Sequence, residues 1–373
     1  MESIKPGVLI ISPFFAPNVG GVETHLTDLT QALSTQNYPT YVLTYSPLTT
    51  KEPYLPIEIQ KNLTIWRFRW FGHNLFHQLE RYPVLDFLYL TPYLLVRTLL
   101  WLSAHHTKIK VIHSHGFNAQ FIGVVSSFIF RKRHITSIHA VYDHLGPMSQ
   151  AIIRFFSIRT HHLLCLSQAS QNQLLSWGIA QSKITLFKYW INLKLFKPTT
   201  PLPSTLTFLF IGRLIPKKGV RLFLKLSTHF PKYKFLMVGT GPMSEEVSDF
   251  SKTHSNFQFL GSQPNTSLPA IINQSSALCL PSLYAEGFGR VSLETLACGH
   301  PVIATNLGGI PESLDSTVSI LLPPHLKSFI KVLKSPYITK QISNLSKNCR
   351  SFCLKNYSST NLSQITRYFL AST

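Results

Sequence analysis

Three features of the sequence predict two successive α/β domains, each a mostly parallel, doubly wound sheet. Short apolar runs alternate with helical patterns along the whole chain, as they do when strands are covered by helices on both faces. The length of 373 residues suits two domains at about 100–200 residues each. A stretch rich in proline, serine and threonine, FKPTTPLPSTL (196–206), separates two blocks of the same strand-then-helix pattern.

In the first block GVLII (7–11) reads as a buried strand, and the turn PFFAPNVGG leads into a helix near VETHLTDLTQALS (22–34). YVLTY (41–45) and LTIWRFR (63–69) are the next strands. KVIHSHG (110–116) is a strand running into a loop, followed by the helical stretch NAQFIGVVSSFIF. HITSIHA (134–140) repeats that logic, as does HHLLCLS (161–167) before a helix around QASQNQLLSWG. The second block restarts with the strand and loop TFLFIGRL (207–214), a helix within KGVRLFLKLSTHF, and the strand and turn KFLMVGTGP (234–242). FQFLG, SALCLPS, PVIAT and VSILL supply further short strands. The ending YSSTNLSQITRYFLAS reads as an amphipathic helix after a serine/threonine start. The domains expected are therefore 1–196 and 204–354, with 355–373 a closing helix.

Hydrophobic residues make up 45% of the chain and charged residues 13%, which provides for real cores and argues against overall disorder. The formal net charge of +20 suits an anionic membrane face or a phosphorylated small molecule. Nucleic acid is disfavoured: the basic residues are scattered apart from RKRH (131–134) and KYK (232–234), with no zinc finger or RNA-binding signature. Five cysteines without a C-x-x-C pair read as buried thiols in a reducing compartment. The beginning MESIKPGVLIISPFF reads as a strand rather than a signal segment. The most apolar region, VLDFLYLTPYLLVRTLLWL (84–102), contains Asp86, Pro92 and Arg97 and falls short of a clean membrane span. It is expected to be a helix in a core or one resting on a membrane.

Open α/β sheets hold ligands beyond the carboxyl ends of their strands. That rule selects Gly20, Gly21, His115, Gly116, His139, Gly212, Arg213, Gly239, Gly241, Pro281, Glu286 and Gly309. In NVGG (18–21) adjacent glycines at a helix start favour an anion, although a plain tight turn has the same pattern. In IGRLIPKKG (211–219), Arg213 offers a rigid donor fork and Lys217 and Lys218 mobile charges, a combination suited to a diphosphate. No G-K-[ST] follows, so a P-loop is disfavoured. His113 lies within a strand and is expected to be packed, whereas His115 and His139 follow strands. Neither H-E-x-x-H nor G-x-S-x-G occurs. In PSLYAEGFGRVSLETLACG, Glu286 sits in a loop and Glu294 in the next helix. Carboxylates bind sugar hydroxyls as well as doing acid/base work, and the spacing alone leaves both open. Backbone around Gly287, Phe288, Gly289 and Arg290 would cradle a negative group at the helix start. The plain alternative is a capping Glu286 and a solvated Glu294.

Three stretches, PFFAPNVGGVETHL, FIGRLIPKKG and PSLYAEGFGRVSLETLACGHPVIATNLGGIPE, make nearly the whole chain resemble family 4 of the retaining, nucleotide-sugar-dependent glycosyltransferases. The last stretch is similar to that family's E-x7-E signature. The resemblance implies the GT-B fold, two Rossmann-like domains facing a central cleft, with a final helix bracing the first domain. It implies a UDP- or GDP-linked sugar donor, transfer of a hexosyl or N-acetylhexosaminyl group with retention, and no metal or other cofactor. By matching motif, Gly20 and Gly21 would approach the sugar or its phosphates, and Gly212, Arg213 and Lys218 would hold the diphosphate. Glu286 would bind the sugar hydroxyls, Gly287, Phe288 and Gly289 would offer backbone, and Glu294 would hold the ribose. His139 would stand near the reacting centre, which makes His139, Arg213, Lys218 and Glu286 the catalytic candidates, while His115 is an acceptor-side one. Alanine at Arg213 or Lys218 is expected to reduce transfer greatly and leave the fold intact. Two departures stand out: YWINLKLFKP replaces the family's asparagine-glycine-valine-aspartate turn, and SIHA lacks an acidic residue after its histidine, with Asp143 close by. The basic, aromatic-rich first half points to a lipid-linked acceptor at the anionic inner face of a membrane, with the protein cytoplasmic and peripheral. A soluble acceptor, or a non-catalytic membrane-associated protein that binds sugar nucleotides, are the competing expectations.

Overall fold

A computed structural model describes residues 5–79, 82–141, 146–199 and 202–370. Asp143 lies outside the described residues. The chain divides into two compact units, one ending at Tyr189 and resuming at Thr360, the other running from Trp190 to Ser359.

The first unit holds β1 (Val8–Ile11), β2 (Thr40–Tyr45), β3 (Ile57–Gln60), β4 (Leu63–Phe68), β5 (Val111–His115), β6 (Arg133–Ile138), β7 (His162–Cys165) and β8 (Ile184–Leu186). They form one sheet in the order β3-β4-β2-β1-β5-β6-β7-β8. All neighbours are parallel except β3, which runs antiparallel to β4. β3 and β8 are edge strands that the sequence pattern does not reveal, because short and mostly exposed edges need no apolar run. The order reverses between β1 and β5, and both strands end at that crevice; β5 places His113 opposite Ile10 and His115 beyond the end of β1.

The apolar stretch 84–102 becomes two helices, Pro83–Leu90 and Pro92–His105. Each starts with proline, whose missing N–H is unneeded in a first turn. Tyr89, Leu90, Leu94, Trp101 and Leu102 are buried, while Val84, Leu85, Leu88, Val96 and Leu100 are exposed. The run Pro83–Lys108 is long and apolar enough to cross a membrane by length and composition, yet one side of it is core to this unit. The last helix, Ser363–Leu370, also packs here: Phe369 meets Tyr38 and His113, and Tyr368 stacks on His162 at 4.0 Å.

The second unit holds β9 (Thr207–Ile211), β10 (Lys234–Val238), β11 (Phe257–Phe259), β12 (Ala277–Leu280), β13 (Val302–Thr305) and β14 (Ser319–Leu322). All are parallel, in the order β11-β10-β9-β12-β13-β14. Here the order reverses between β9 and β12, the position at which doubly wound sheets open a crevice for ligands. Phe208, Phe210, Phe223 and Phe235 pack ring against ring in its core. The linking stretch YWINLKLFKP crosses from one unit to the other at its start: Tyr189 closes the first unit, and Trp190 onward belongs to the second. Arg350, in the helix Ile338–Asn356, donates to the Leu193 and Ala297 carbonyls, and Ile191 N–H donates to the Tyr357 carbonyl. All five cysteines are buried free thiols.

Candidate functional site

The loops after β9 and β12, on either side of the reversal, are drawn together by backbone contacts. Leu283 N–H donates to the Lys217 carbonyl at 2.7 Å. Gly219 has φ +75° and no Cβ, which lets the Pro281 carbonyl lie directly against it. The loop after β9 is held from its other side: Gly212 N–H bonds the Val238 carbonyl and Leu214 N–H bonds the Thr240 carbonyl. Gly239 and Gly241 therefore belong to the scaffold around Arg213.

This arrangement brings Lys218 to Glu286. The ammonium lies 2.7 Å from Oε2, with side-chain exposures of 18% and 6%. Ser282 Oγ–H donates to the other carboxylate oxygen, Oε1. Lys218 also stands 5.5 Å from the centre of the Tyr284 ring. Burial pulls the Lys218 ammonium down, but Glu286 and Tyr284 outweigh burial and leave its pKa above the usual lysine value. Burial raises the Tyr284 hydroxyl above its ordinary value, with Lys218 and Arg213 acting the other way, so Arg213 shares this neighbourhood. Lys217, the third cation of the motif, is exposed. Glu286 does not cap the helix Arg290–Ala297, which starts at Gly289 with no side-chain cap. Its backbone is gripped instead by the loop after β13: Gly309 N–H donates to the Glu286 carbonyl at 2.7 Å. Gly308, at φ +58°, packs its Cα face against the Glu286 backbone.

Glu294 is not solvated. It is buried in its helix, where Arg290 Nε donates to Oε1 at 3.1 Å and Asn265 Nδ2 at 3.4 Å. Arg290 in turn reaches the Trp190 carbonyl at 3.4 Å. The Phe288 side chain is buried near the Tyr357 ring, so only its backbone is presented, beside the half-buried Gly287 and Gly289.

In the first unit, Gly20 and Gly21 open the helix Gly21–Thr35, and the Gly20 carbonyl accepts from Thr24. The chain's own Glu23 carboxylate folds against Gly20, where the positive end of the helix favours a negative group. Nearby in this unit His25, His113, His115 and His139 cluster. His115 Nδ1 and His139 Nε2 share a hydrogen bond of 2.9 Å, and His139 Nδ1 and the Tyr189 hydroxyl another of 2.9 Å. His113 is packed as expected, its Nε2 on the Ser137 hydroxyl at 2.8 Å. Burial lowers His139 to about 3 and holds His113 and His115 well below the usual histidine value. These imidazoles are neutral at pH 7. A neutral His139 bonded at both nitrogens donates through one and accepts through the other.

Sequence reasoning overlooked Ser282, Tyr284, Gly308, Asn265, His25 and Tyr189. The first three lie within the conspicuous PSLYAEGFG and NLGG stretches, directly after β12 and β13, and the rule that selected Glu286 would have found them. His25, Tyr189 and Asn265 carry no local signal, because they reach their partners through the fold.

The profile of the glycosyl transferases of group 1 matches residues 194–354, and that of Glycosyltransferase Family 4 matches residues 19–195. The chain is 24% identical over 351 residues to a phosphatidylinositol N-acetylglucosaminyltransferase subunit of Arabidopsis thaliana, covering 89% of this chain and 74% of the relative. The Homo sapiens protein of the same name is 25% identical over 351 residues, covering 88% and 67%. Among solved structures, sucrose-phosphate synthase from Thermosynechococcus elongatus superposes with a TM-score of 0.78 at 18% identity, over 98% of each chain. Anabaena HepE, solved in complex with UDP-glucose, gives a TM-score of 0.74 at 18% identity, over 98% of this chain and all of the other. The chain belongs to the glycosyltransferases of group 1 and family 4, and its two Rossmann-like units are those of the GT-B fold.

Proposed function

We propose that the chain moves a hexosyl or N-acetylhexosaminyl group from a UDP-linked sugar to a hydroxyl of a lipid-linked acceptor, with retention of configuration. The observation that carries this reading is the buried Lys218–Glu286–Ser282 cluster at the β9/β12 reversal. It pairs a cation that would face a diphosphate with a carboxylate that would face sugar hydroxyls. The UDP-glucose complex of HepE and the phosphatidylinositol named for the relatives support the UDP donor and the lipid acceptor.

In this mechanism Arg213 and Lys218 neutralise charge that grows on the leaving diphosphate as the anomeric C–O bond breaks, charge that a divalent ion would otherwise meet. The acceptor oxygen bonds the anomeric carbon on the face the phosphate leaves, and its proton passes to the departing phosphate oxygen. No covalent nucleophile is needed, and Glu286 holds sugar hydroxyls, with the backbone of Gly287, Phe288 and Gly289 beside it. Glu294, oriented by Arg290, holds the ribose. A neutral His139 contributes a fixed donor or acceptor near the sugar rather than a charge. Calorimetric titration with UDP-, GDP- and ADP-sugars tests the donor. Binding of UDP-sugars and transfer to a phospholipid acceptor are expected, and absence of binding to any of the three would end the proposal. Transfer only to water-soluble acceptors would end its lipid half.

A further inference from the structure

One face of the first unit is apolar, and cations accompany it. The connections β4 to β5, β5 to β6 and β6 to β7 all step in the same direction across the sheet, so right-handed crossovers put their helices on the same side. These helices are Pro83–Leu90, Pro92–His105, Phe117–Phe130 and Pro147–Arg159. Half-buried rings tie them together, Phe87 on Phe121 at 5.2 Å and Phe121 on Phe156 at 4.7 Å. Leu88, Val96, Leu100, Ile152 and Phe155 are each about half exposed or more, and Phe128 is 86% exposed. A lone exposed leucine is ordinary, but exposed apolar side chains on four consecutive, mutually packed helices mark an interaction surface.

The charges on these elements identify what the surface meets. Arg131, Arg154 and Arg159, all exposed, lie on the helices or at their ends, and Arg159 stands over the Phe155 ring at 3.5 Å, whereas Arg97 turns onto the buried Phe68 ring at 4.5 Å. Between Asp86 and Glu245 the sequence contains one acidic residue, Asp143. A second copy of this chain would set these arginines against one another. Nucleic acid would leave Leu100, Phe128 and Ile152 without an apolar partner. An anionic bilayer satisfies both features, with acyl chains for the apolar residues and headgroups for the arginines.

We propose that this helical face docks on an anionic lipid bilayer. The surface deepens the lipid-acceptor reading above and rests on it only for the identity of the acceptor, since docking is measurable without transfer. The full chain is floated with vesicles of phosphatidylcholine, alone or mixed with phosphatidylserine, at low and high salt. Flotation with the mixed vesicles at low salt is expected. Arg154→Ala and Arg159→Ala should each lower partitioning about fivefold, the equivalent of about 1 kcal/mol per cation. Phe128→Glu and Phe155→Glu should lose docking at either salt, while melting and UDP-sugar binding stay unchanged. The proposal is overturned if the wild type stays in the aqueous phase, if both glutamate variants float as it does, or if those variants instead dissolve a dimer seen by sedimentation. A chain that floats but binds no nucleotide sugar keeps the docking surface and ends the transferase reading; a chain that binds the sugar but never floats does the reverse.

Discussion

Replacing Lys218 by methionine separates the structural from the chemical role of the ion pair. Without the ammonium, the Glu286 carboxylate, 6% exposed, keeps Ser282 as the partner of one oxygen only. Removing one partner of a buried ion pair costs about 3–5 kcal/mol. The lower end, about 3 kcal/mol, applies here because the Lys218 side chain is itself 18% exposed and Ser282 still donates. For a domain of this size that loss lowers the second unit's melting transition by about 6–12 °C. The fold is thus expected to stay intact at this position but to melt earlier. The double variant Lys218→Met/Glu286→Gln removes both charges and should recover most of the melting temperature, since deleting a whole buried pair is often nearly neutral. It should still transfer no sugar. Scanning calorimetry and a transfer assay on the two proteins make the comparison. A single variant that melts like the wild type would refute the buried pair, and a double variant that transfers at the wild-type rate would refute its chemical role.

Gly308→Ala places a Cβ against the Glu286 backbone at φ +58°, so transfer should fall at least about tenfold, an equivalent of about 1.4 kcal/mol, from a displacement of Glu286; an unchanged rate would show that the Gly308 contact does not position it. Glu294→Ala should weaken UDP binding in calorimetry, and equal affinity would rule out the ribose contact. Acid should destabilise the first unit. His134, buried outside the histidine cluster with its Nε2 on the Ser114 hydroxyl at 2.7 Å, and His139 titrate at about 3 when folded, against the ordinary 6.5. The unfolded chain thus binds protons below pH 6.5 that the folded chain refuses. Stability is level above that pH and falls below it, by about 2 kcal/mol per residue at about pH 5. Urea unfolding at about pH 7 and about pH 5 measures this, and equal midpoints for the first unit would contradict neutral imidazoles at these two positions.

The parallel architecture was legible because strands buried on both faces must be apolar runs, and GVLII, TFLFI and PVIAT are such runs. The edge strands β3 and β8 were not legible, since half-exposed edges satisfy no comparable pattern. Glu286, Arg213 and Lys218 could be found because each follows a strand in a motif of local sequence. Their pairing could not, because Lys218 and Glu286 meet across a loop contact between β9 and β12. Only that contact decides which carboxylate oxygen takes the lysine and which the serine. The same holds for Glu294: its periodicity permitted a solvated face, and only packing against Arg290 and Asn265 buried it. The sequence by itself determined the family, the strand order's raw material and the chemical types at the strand ends. Tertiary structure decided the partners of each charge, because burial and ion pairing depend on neighbours distant in the chain, and local pattern carries no information about them.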